Sequence, residues 1–338
     1  MRKIMEKWIE EAKKKPKRIV YPESTEERTL KAIETITREG IACPVLIGDE
    51  KEIIGRIKEL GLAIDRNTVE IIGAEDSKKL DSYSQEFYRL RKHKGITLEK
   101  ARKKMKEPVH FGVMMVQTGD ADGLISGAVH PTSHTLLPAF EIIGTKKKFH
   151  KVSGVFFMMF KNKLMLFADA AVEPDPDAKD LANIAIDTAM TAKRFGLEPE
   201  VAMLSFSTKG SAKHPMVKKV KEATEIAQYH APDLLIDGEL QLDAAVDPKV
   251  CRIKCPDCKL HGGANVLIFP ELNAANIGYK LATFFGKAQA VGPVLQGLKK
   301  PVNDLSRGCS VREIVDITAI TVIEAQKKDY GNAHEQAD

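Results

Sequence analysis

The chain lacks the features that would place it in a membrane, on a secretion route or along a nucleic acid. No run approaches the roughly 20 consecutive apolar residues that span a bilayer; the longest, Val155 to Phe160, reads as a buried strand. The start, Met1-Arg2-Lys3-Ile4-Met5-Glu6-Lys7-Trp8, has no apolar signal core, so a cytoplasmic location is expected. No G-x-G-x-x-G follows a strand and no Walker A sequence occurs, which leaves dinucleotide redox chemistry and nucleotide hydrolysis without support. An excess of one charge is also missing. The 52 Lys and Arg and 47 Asp and Glu are interspersed over 338 residues, which argues against a nucleic-acid stripe, although a net +5 suits small anions. Cysteine is scarce. Cys251, Cys255 and Cys258, followed by His261, have spacings a zinc site could use; the alternative is a reduced loop whose thiols do nothing.

What is present is a β-α-β-α rhythm. Arg18-Ile-Val-Tyr-Pro reads as a strand, with a helix starting in Glu23-Ser-Thr-Glu-Glu and running through Leu30, Ile33 and Ile36. Pro44-Val-Leu-Ile-Gly and Val69-Glu-Ile-Ile-Gly read as further strands flanking an amphipathic helix from Lys51 to Leu60. Val201-Ala-Met-Leu-Ser, Leu234-Leu-Ile-Asp-Gly and Ala264-Asn-Val-Leu-Ile-Phe-Pro continue the pattern, each followed by a polar or Gly/Pro turn. This alternation predicts an α/β protein with a mainly parallel sheet, and such sheets bind ligands beyond the carboxyl ends of their strands.

Three turns carry suitable groups. Ser126, His130, Thr132, Ser133 and His134 crowd one loop before a helix; Ser205 to Lys213, with Thr208, Lys209 and Gly210, forms a Gly/Ser/Lys turn. Both could donate to phosphate or to a developing oxyanion, or merely cap helices. The third is Asn303-Asp304-Leu305-Ser306-Arg307-Gly308-Cys309-Ser310-Val311-Arg312-Glu313. Here a hydroxyl and a guanidinium adjoin on a glycine turn, and Ser310-x-x-Glu313 has the capping-box pattern that starts a helix.

In order, Tyr88-x-Leu-Arg91-Lys-His-Lys-Gly-Ile-Thr, Asp122-Gly-Leu-Ile-Ser126-Gly, Leu204 to Lys213, Ile236-Asp-Gly-Glu-Leu-Gln-Leu-Asp-Ala-Ala and Asn303 to Ser310 resemble the phosphate acetyltransferase (phosphate acetyl/butyryltransferase) family from about residue 17 to 325. The resemblance implies two α/β/α sandwich domains like those of isocitrate and isopropylmalate dehydrogenases, with an active-site cleft between them. Residues 1–147 plus 297–338 would form domain I, and 148–296 a dimerising domain II. It implies the reaction acetyl-CoA plus inorganic phosphate to acetyl phosphate plus coenzyme A, with no cofactor or metal, and a homodimer binding neither nucleic acid nor membrane.

By the same resemblance, Ser306 would stabilise the transition state and Glu313 would deprotonate the CoA thiol. Arg307 and Arg91 would hold the substrate's anionic groups. Arg28 and Lys280 would contact CoA, and Ser126, His130, Thr132, Ser133, Thr208, Lys209, Gly210 and Asn303 would line the substrate. The chain departs from the family in having Glu313 for Asp, Leu137 for the Arg of Thr-Leu-Arg-Pro-Ala, and Pro131 and His134 for Ser and Asp. A carboxylate displaced by on the order of 1 Å can cost about 10²-fold in rate. An apolar Leu137 leaves open a preference for propionyl or butyryl groups, or a weakly active acyl-CoA-binding regulatory homologue.

Overall fold

The computed structural model describes residues 2–146 and 151–327. The chain divides into two compact units. The first comprises Arg2–Gly144 and the chain from Leu298 onward; the second is Thr145–Gly297. The expected boundary between residues 147 and 148 lies outside the described residues.

The first unit runs α1 (Arg2–Lys14), β1 (Arg18–Tyr21), α2 (Glu27–Glu39), β2 (Cys43–Ile47), α3 (Glu50–Glu59), β3 (Glu70–Ile72), α4 (Leu80–Arg91), α5 (Leu98–Met105), α6 (Pro108–Thr118), β4 (Gly123–Ser126) and α7 (Thr132–Pro138). The second runs β5 (Ser153–Met159), β6 (Leu164–Ala168), α8 (Ala178–Arg194), β7 (Glu200–Leu204), α9 (Pro215–His230), β8 (Leu235–Leu240), α10 (Leu242–Val246), α11 (Pro248–Lys254), β9 (Val266–Ile268), α12 (Leu272–Phe284) and β10 (Gln289–Gln296). Then β11 (Val302–Asp304) and α13 (Val311–Gln326) return to the first unit.

The first sheet, ordered β11-β4-β1-β2-β3, is parallel throughout. Strands β1, β2 and β4 are short, largely apolar runs buried apart from Arg18 and Cys43 at their starts, as crossover helices on both faces require, whereas the edge strand β3 is only partly covered. Ile19, Val20, Leu46 and Leu124 of the sheet, Leu30, Ile33 and Ile36 of α2 and Ile320 of α13 are all fully buried and form its core. Gly112 lets α6 approach the sheet, since a Cβ there would lie 2.8 Å from both Leu124 and Val20.

The second sheet, β10-β5-β6-β9-β7-β8, is mixed. Strands β6, β9, β7 and β8 are parallel, whereas β5 runs antiparallel to both β6 and β10. The cause of the β5–β6 reversal is local. The two strands are joined by a tight turn closed by Phe160 N–H donating to the Lys163 carbonyl at 2.9 Å, and only antiparallel neighbours tolerate so short a link.

Two local expectations shift. Helix α2 begins at Glu27 rather than at Glu23; Glu26 is its cap and accepts the Thr29 N–H at 2.8 Å. The chain through Ser24 stays non-helical because Glu23 is committed to a distant loop, described below. Among the described residues no helix is long and apolar enough to cross a membrane.

Candidate active site

Strands β11, β4 and β1 are adjacent and parallel, so their carboxyl ends emerge side by side, and the chemistry gathers there. After β1 comes Glu23. After β4 comes the loop Gly127–Pro131, and after β11 the turn Leu305–Ser310. Asp304 and Ser126 are register partners at the ends of their strands. Gly127 (φ +110°) lets the two turns touch: a Cβ there would lie 2.4 Å from Asp304 Oδ1 and 2.7 Å from the Leu305 backbone.

Glu23 organises the loop after β4. Its Oε2 accepts the N–H groups of Gly127 (2.9 Å) and Ala128 (2.8 Å), and its Oε1 those of Val129 and His130 (both 3.1 Å). Four successive amides thus converge on one buried carboxylate, the concave N–H arrangement that binds anions. Oε1 also lies 2.9 Å from His130 Nδ1. The His130 ring is stacked on that of His134, with centroids 4.8 Å apart and planes within 5°.

Arg28 clamps this loop to the turn after β11. Its Nη2 donates to the Ala128 carbonyl (2.8 Å), its Nη1 to the carbonyls of Arg307 (2.8 Å) and Cys309 (2.9 Å), and its Nε to Glu26 (2.7 Å). Four of its five N–H groups are therefore engaged within the protein. Arg28 thereby holds the turns after β4 and β11 together. Ser306, Arg307 and Gly308 project from the clamped turn and are exposed, with Ser306 Oγ accepting the Gly308 N–H at 3.3 Å.

The remaining candidates in this unit divide by burial. Thr132 is half-buried and Ser133 exposed, while Ser126 is fully buried with an unpartnered hydroxyl. Leu137 is 53% exposed on α7, so no core packing requires an apolar side chain there. Asn303 faces inward. It is fully buried, and its amide donates to Thr321 Oγ1 (2.9 Å) and Glu324 (2.8 Å), fastening β11 to α13.

Glu313 completes a capping box. Its Oε2 accepts both the Ser310 N–H (2.6 Å) and the Ser310 hydroxyl (2.8 Å), and its own N–H donates back to Ser310 Oγ at 3.2 Å. Arg91, at the end of α4, reaches Glu141 at 3.4 Å, beyond α7. Glu141 in turn lies 3.6 Å from the buried His110, whose imidazole is held below its ordinary value by desolvation.

Several of these residues were not visible to sequence reasoning: Glu23, Glu26, Glu141 and Asp304. Asp304 stood inside the recognised motif, and Glu23 follows directly on a strand end. Asp304 is fully buried, and neither carboxylate oxygen makes a hydrogen bond. Burial pushes its carboxyl up to about 6, although the nearby hydroxyls of Thr132 and Thr135 favour the charged form.

A profile of the family described as phosphate acetyl/butaryl transferase matches residues 3–322. The chain belongs to this family. The phosphate acetyltransferase of Thermoanaerobacterium thermosaccharolyticum is 51% identical over 330 residues, 96% of this chain and 99% of that protein. That of Clostridium acetobutylicum is 49% identical over 331 residues, again 96% and 99% of the two chains. Among solved structures, a phosphotransacetylase from Streptococcus pyogenes shares 44% identity with a TM-score of 0.91, covering 96% of this chain and 99% of its own.

The other family positions lie in the second unit, where most are bound up locally. Thr208 is buried, its hydroxyl donating to Gln241 Oε1 (3.3 Å) and accepting the Gln241 N–H (3.0 Å). Lys209 is ion-paired with Asp237 and donates to the Gly238 carbonyl at 2.7 Å. Gly210 (φ +84°) donates its N–H to Glu239 at 2.6 Å. Lys280 is exposed on α12, its ammonium 5.8 Å from the Tyr279 ring centroid. The cysteines join the hydrophobic core of this unit, and burial pushes the Cys258 thiol up to about 12. His261 is exposed, and among the described residues no three His, Cys, Asp or Glu side chains are grouped so as to hold a metal ion.

Proposed function

We propose that the chain is a phosphate acetyltransferase, interconverting acetyl-CoA plus inorganic phosphate with acetyl phosphate plus coenzyme A. The full-length membership of the family, with the exposed Ser306-Arg307 pair standing at the carboxyl ends of three parallel strands, carries this reading. In the direction of acyl-CoA synthesis the CoA thiol loses its proton, and the thiolate attacks the carbonyl carbon of acetyl phosphate. The C–O bond to phosphate then breaks. Negative charge builds on the carbonyl oxygen and on the departing phosphate. Ser306 would donate to the developing oxyanion, and Arg307 and Arg91 would hold the phosphoryl oxygens. The resemblance gives the proton to Glu313. In the capped arrangement both hydrogen bonds from Ser310 fall on Oε2, so the proton could be taken by Oε1 with the cap in place.

Leu137 favours a second reading, an acyltransferase that accepts longer tails, because an exposed apolar side chain stands where the family has a phosphate-binding arginine. The expected cytoplasmic homodimer belongs to the proposal too. Its support is an exposed apolar stripe formed by Ile277, Leu281 and Phe284 of α12 and by Phe285 directly after it. The test is CoA-dependent formation of acetyl phosphate and the reverse reaction, compared over acetyl-, propionyl- and butyryl-CoA. Turnover should exceed a Ser306→Ala control by about 10²-fold or more. Equal rates would remove the assignment, and a higher kcat/KM for butyryl-CoA would establish the second reading.

A further inference from the structure

Two arginines of the first unit differ in how far the protein occupies them. Arg28 engages four of its five N–H groups in hydrogen bonds. Arg91 makes a single one among the described residues, Nη2 to Glu141 Oε1 at 3.4 Å, and its Nε is buried without a partner. The guanidinium is thus tethered at one corner, with its other donors uncommitted. We propose that Glu141 is a positioning residue that orients Arg91 for the phosphoryl oxygens of the substrate, and that His110 sets how much of the Glu141 charge Arg91 receives. The inference rests on the phosphate acetyltransferase reading.

Three elements bring the groups together. Arg91 ends α4, His110 lies in the first turn of α6, and Glu141 sits on a π-helical turn, Ala139–Ile143, into which α7 runs. The Gly144 N–H closes that turn on the Ala139 carbonyl, five residues back, at 3.0 Å. Such wide turns recur at functional sites because they re-aim side chains. Here Leu137 is exposed, whereas the Glu141 side chain, four positions later, is 16% exposed and turned toward α4 and α6. Helix α7 starts from the loop after β4, so Glu141 is built onto the element that follows that loop. With Leu137 where the family has an arginine, the hold on phosphate falls to Arg91 and Arg307.

His110 controls the charge from behind. Its Nδ1 lies 2.9 Å from Glu107 Oε2, and a carboxylate only accepts, so Nδ1 carries the proton. The neutral ring then turns the Nε2 lone pair toward Glu141 Oε2 at 3.6 Å, acceptor against acceptor. Arg91 is the donor left to Glu141. A second proton, on Nε2, would donate to Glu141 and draw part of the carboxylate charge away from Arg91. Burial holds the imidazole below its ordinary value, so this happens on the acid side of the usual histidine range. The charged groups around the ring are Glu107 before α6, Lys104 of α5 paired with Glu107 at 3.1 Å, Glu141 and, beyond it, Arg91. Phe87 of α4 meets the imidazole edge-on, with centroids 6.0 Å apart.

The experiment follows kcat and the KM values for acetyl phosphate and CoA against pH. It uses wild type, Glu141→Gln, His110→Asn, Arg91→Ala and the double variant Arg91→Ala with Glu141→Gln. At about pH 7.5, Glu141→Gln should raise the KM for acetyl phosphate about tenfold, with kcat and the KM for CoA within about twofold of wild type. In the Arg91→Ala background the same substitution should change that KM by less than about twofold, because Glu141 acts through the guanidinium. An unchanged KM in Glu141→Gln, or a tenfold effect that survives in Arg91→Ala, overturns the proposal. The wild-type KM should also rise below about pH 6, beyond the substrate's own titration, which all variants share. That rise should vanish in His110→Asn, whose amide can still donate to Glu107; a rise that persists there overturns the assignment, and this arm decides the matter if Glu141→Gln fails to fold. Absence of turnover by the wild type would instead remove the underlying acetyltransferase reading.

Discussion

Asp304 and Glu23 are both carboxylates at strand ends of the same sheet, yet their surroundings treat the charge in opposite ways. Glu23 accepts four N–H groups, whereas the Asp304 oxygens, equally hidden from water, accept none. An unpaired buried charge is costly, and the carboxyl responds by holding its proton up to about 6. For an acid with a raised folded value, the native state binds the proton more tightly than the unfolded chain does. Its penalty on stability is therefore absent at low pH, grows as pH rises from about 4 to about 6, and is constant above that. The gap from the ordinary 3.8 corresponds to roughly 3 kcal/mol. Asp304→Asn has no charge to bury. Its stability relative to wild type, from urea unfolding, should improve by about 2 kcal/mol between pH 4.5 and pH 7.5. A difference that stays flat with pH would show that Asp304 is already compensated. None of this was legible in the sequence, where Asp304 reads as one polar residue of a turn. Its burial follows from the approach of Gly127, which lies 177 positions earlier in the chain.

At the scale of elements the sequence was a good guide wherever the signal was local. The alternation of short apolar runs with amphipathic segments marks β1, β2, β3, β5, β7, β8 and β9 where they occur. Ser310-x-x-Glu313 likewise forms the capping box it spells. Local reading fails where a distant partner intervenes. The start of α2 moves past Glu23 because that side chain is bound by amides more than 100 residues away. The Gly/Ser/Lys turn after β7 offers Lys209 and Gly210 to a ligand on paper. In the fold Lys209 pairs with Asp237 and the Gly210 N–H with Glu239, both on β8, contacts that the local sequence does not announce.

The capping box gives this scale its prediction. Ser310→Ala leaves the Glu313 N–H without its cap and should cost about 1 kcal/mol, seen as a lower Tm. Glu313→Gln keeps a side-chain oxygen able to accept from Ser310, so its Tm should stay within about a degree of wild type. Loss of Tm in Glu313→Gln comparable with that of Ser310→Ala would mean that the negative charge at the helix start, not the hydrogen bond, is what stabilises α13.

At the scale of the whole molecule, what remains is the apolar surface that one chain leaves in water. Ile277, Leu281 and Phe284 recur at the spacing of one helical face on α12, with Phe285 directly after it, and the two phenylalanines are 80% and 82% exposed. Neighbouring Tyr279 is different: it stacks on Phe156 with centroids 4.4 Å apart, so the opposite side of the helix is already anchored to its own unit. A contiguous exposed patch of large apolar side chains is characteristic of an interaction surface, and a two-fold dimer pairs such a patch with its own copy. Because both copies contribute, a single charged substitution enters the interface twice. Phe284→Asp should therefore convert a dimer to monomers in sedimentation or light scattering at micromolar concentration. The substitution removes no core contact, so far-UV circular dichroism should be unchanged. Dimers that persist in Phe284→Asp and also in Leu281→Glu would place the interface elsewhere. A monomeric wild type would leave the stripe as a surface for a different partner. The turns after β1, β4 and β11 belong to the first unit and α12 to the second. Monomeric Phe284→Asp should thus keep the Glu23–His130 and Arg28 contacts, and any loss of turnover it shows would be a measure of what dimerisation adds to catalysis.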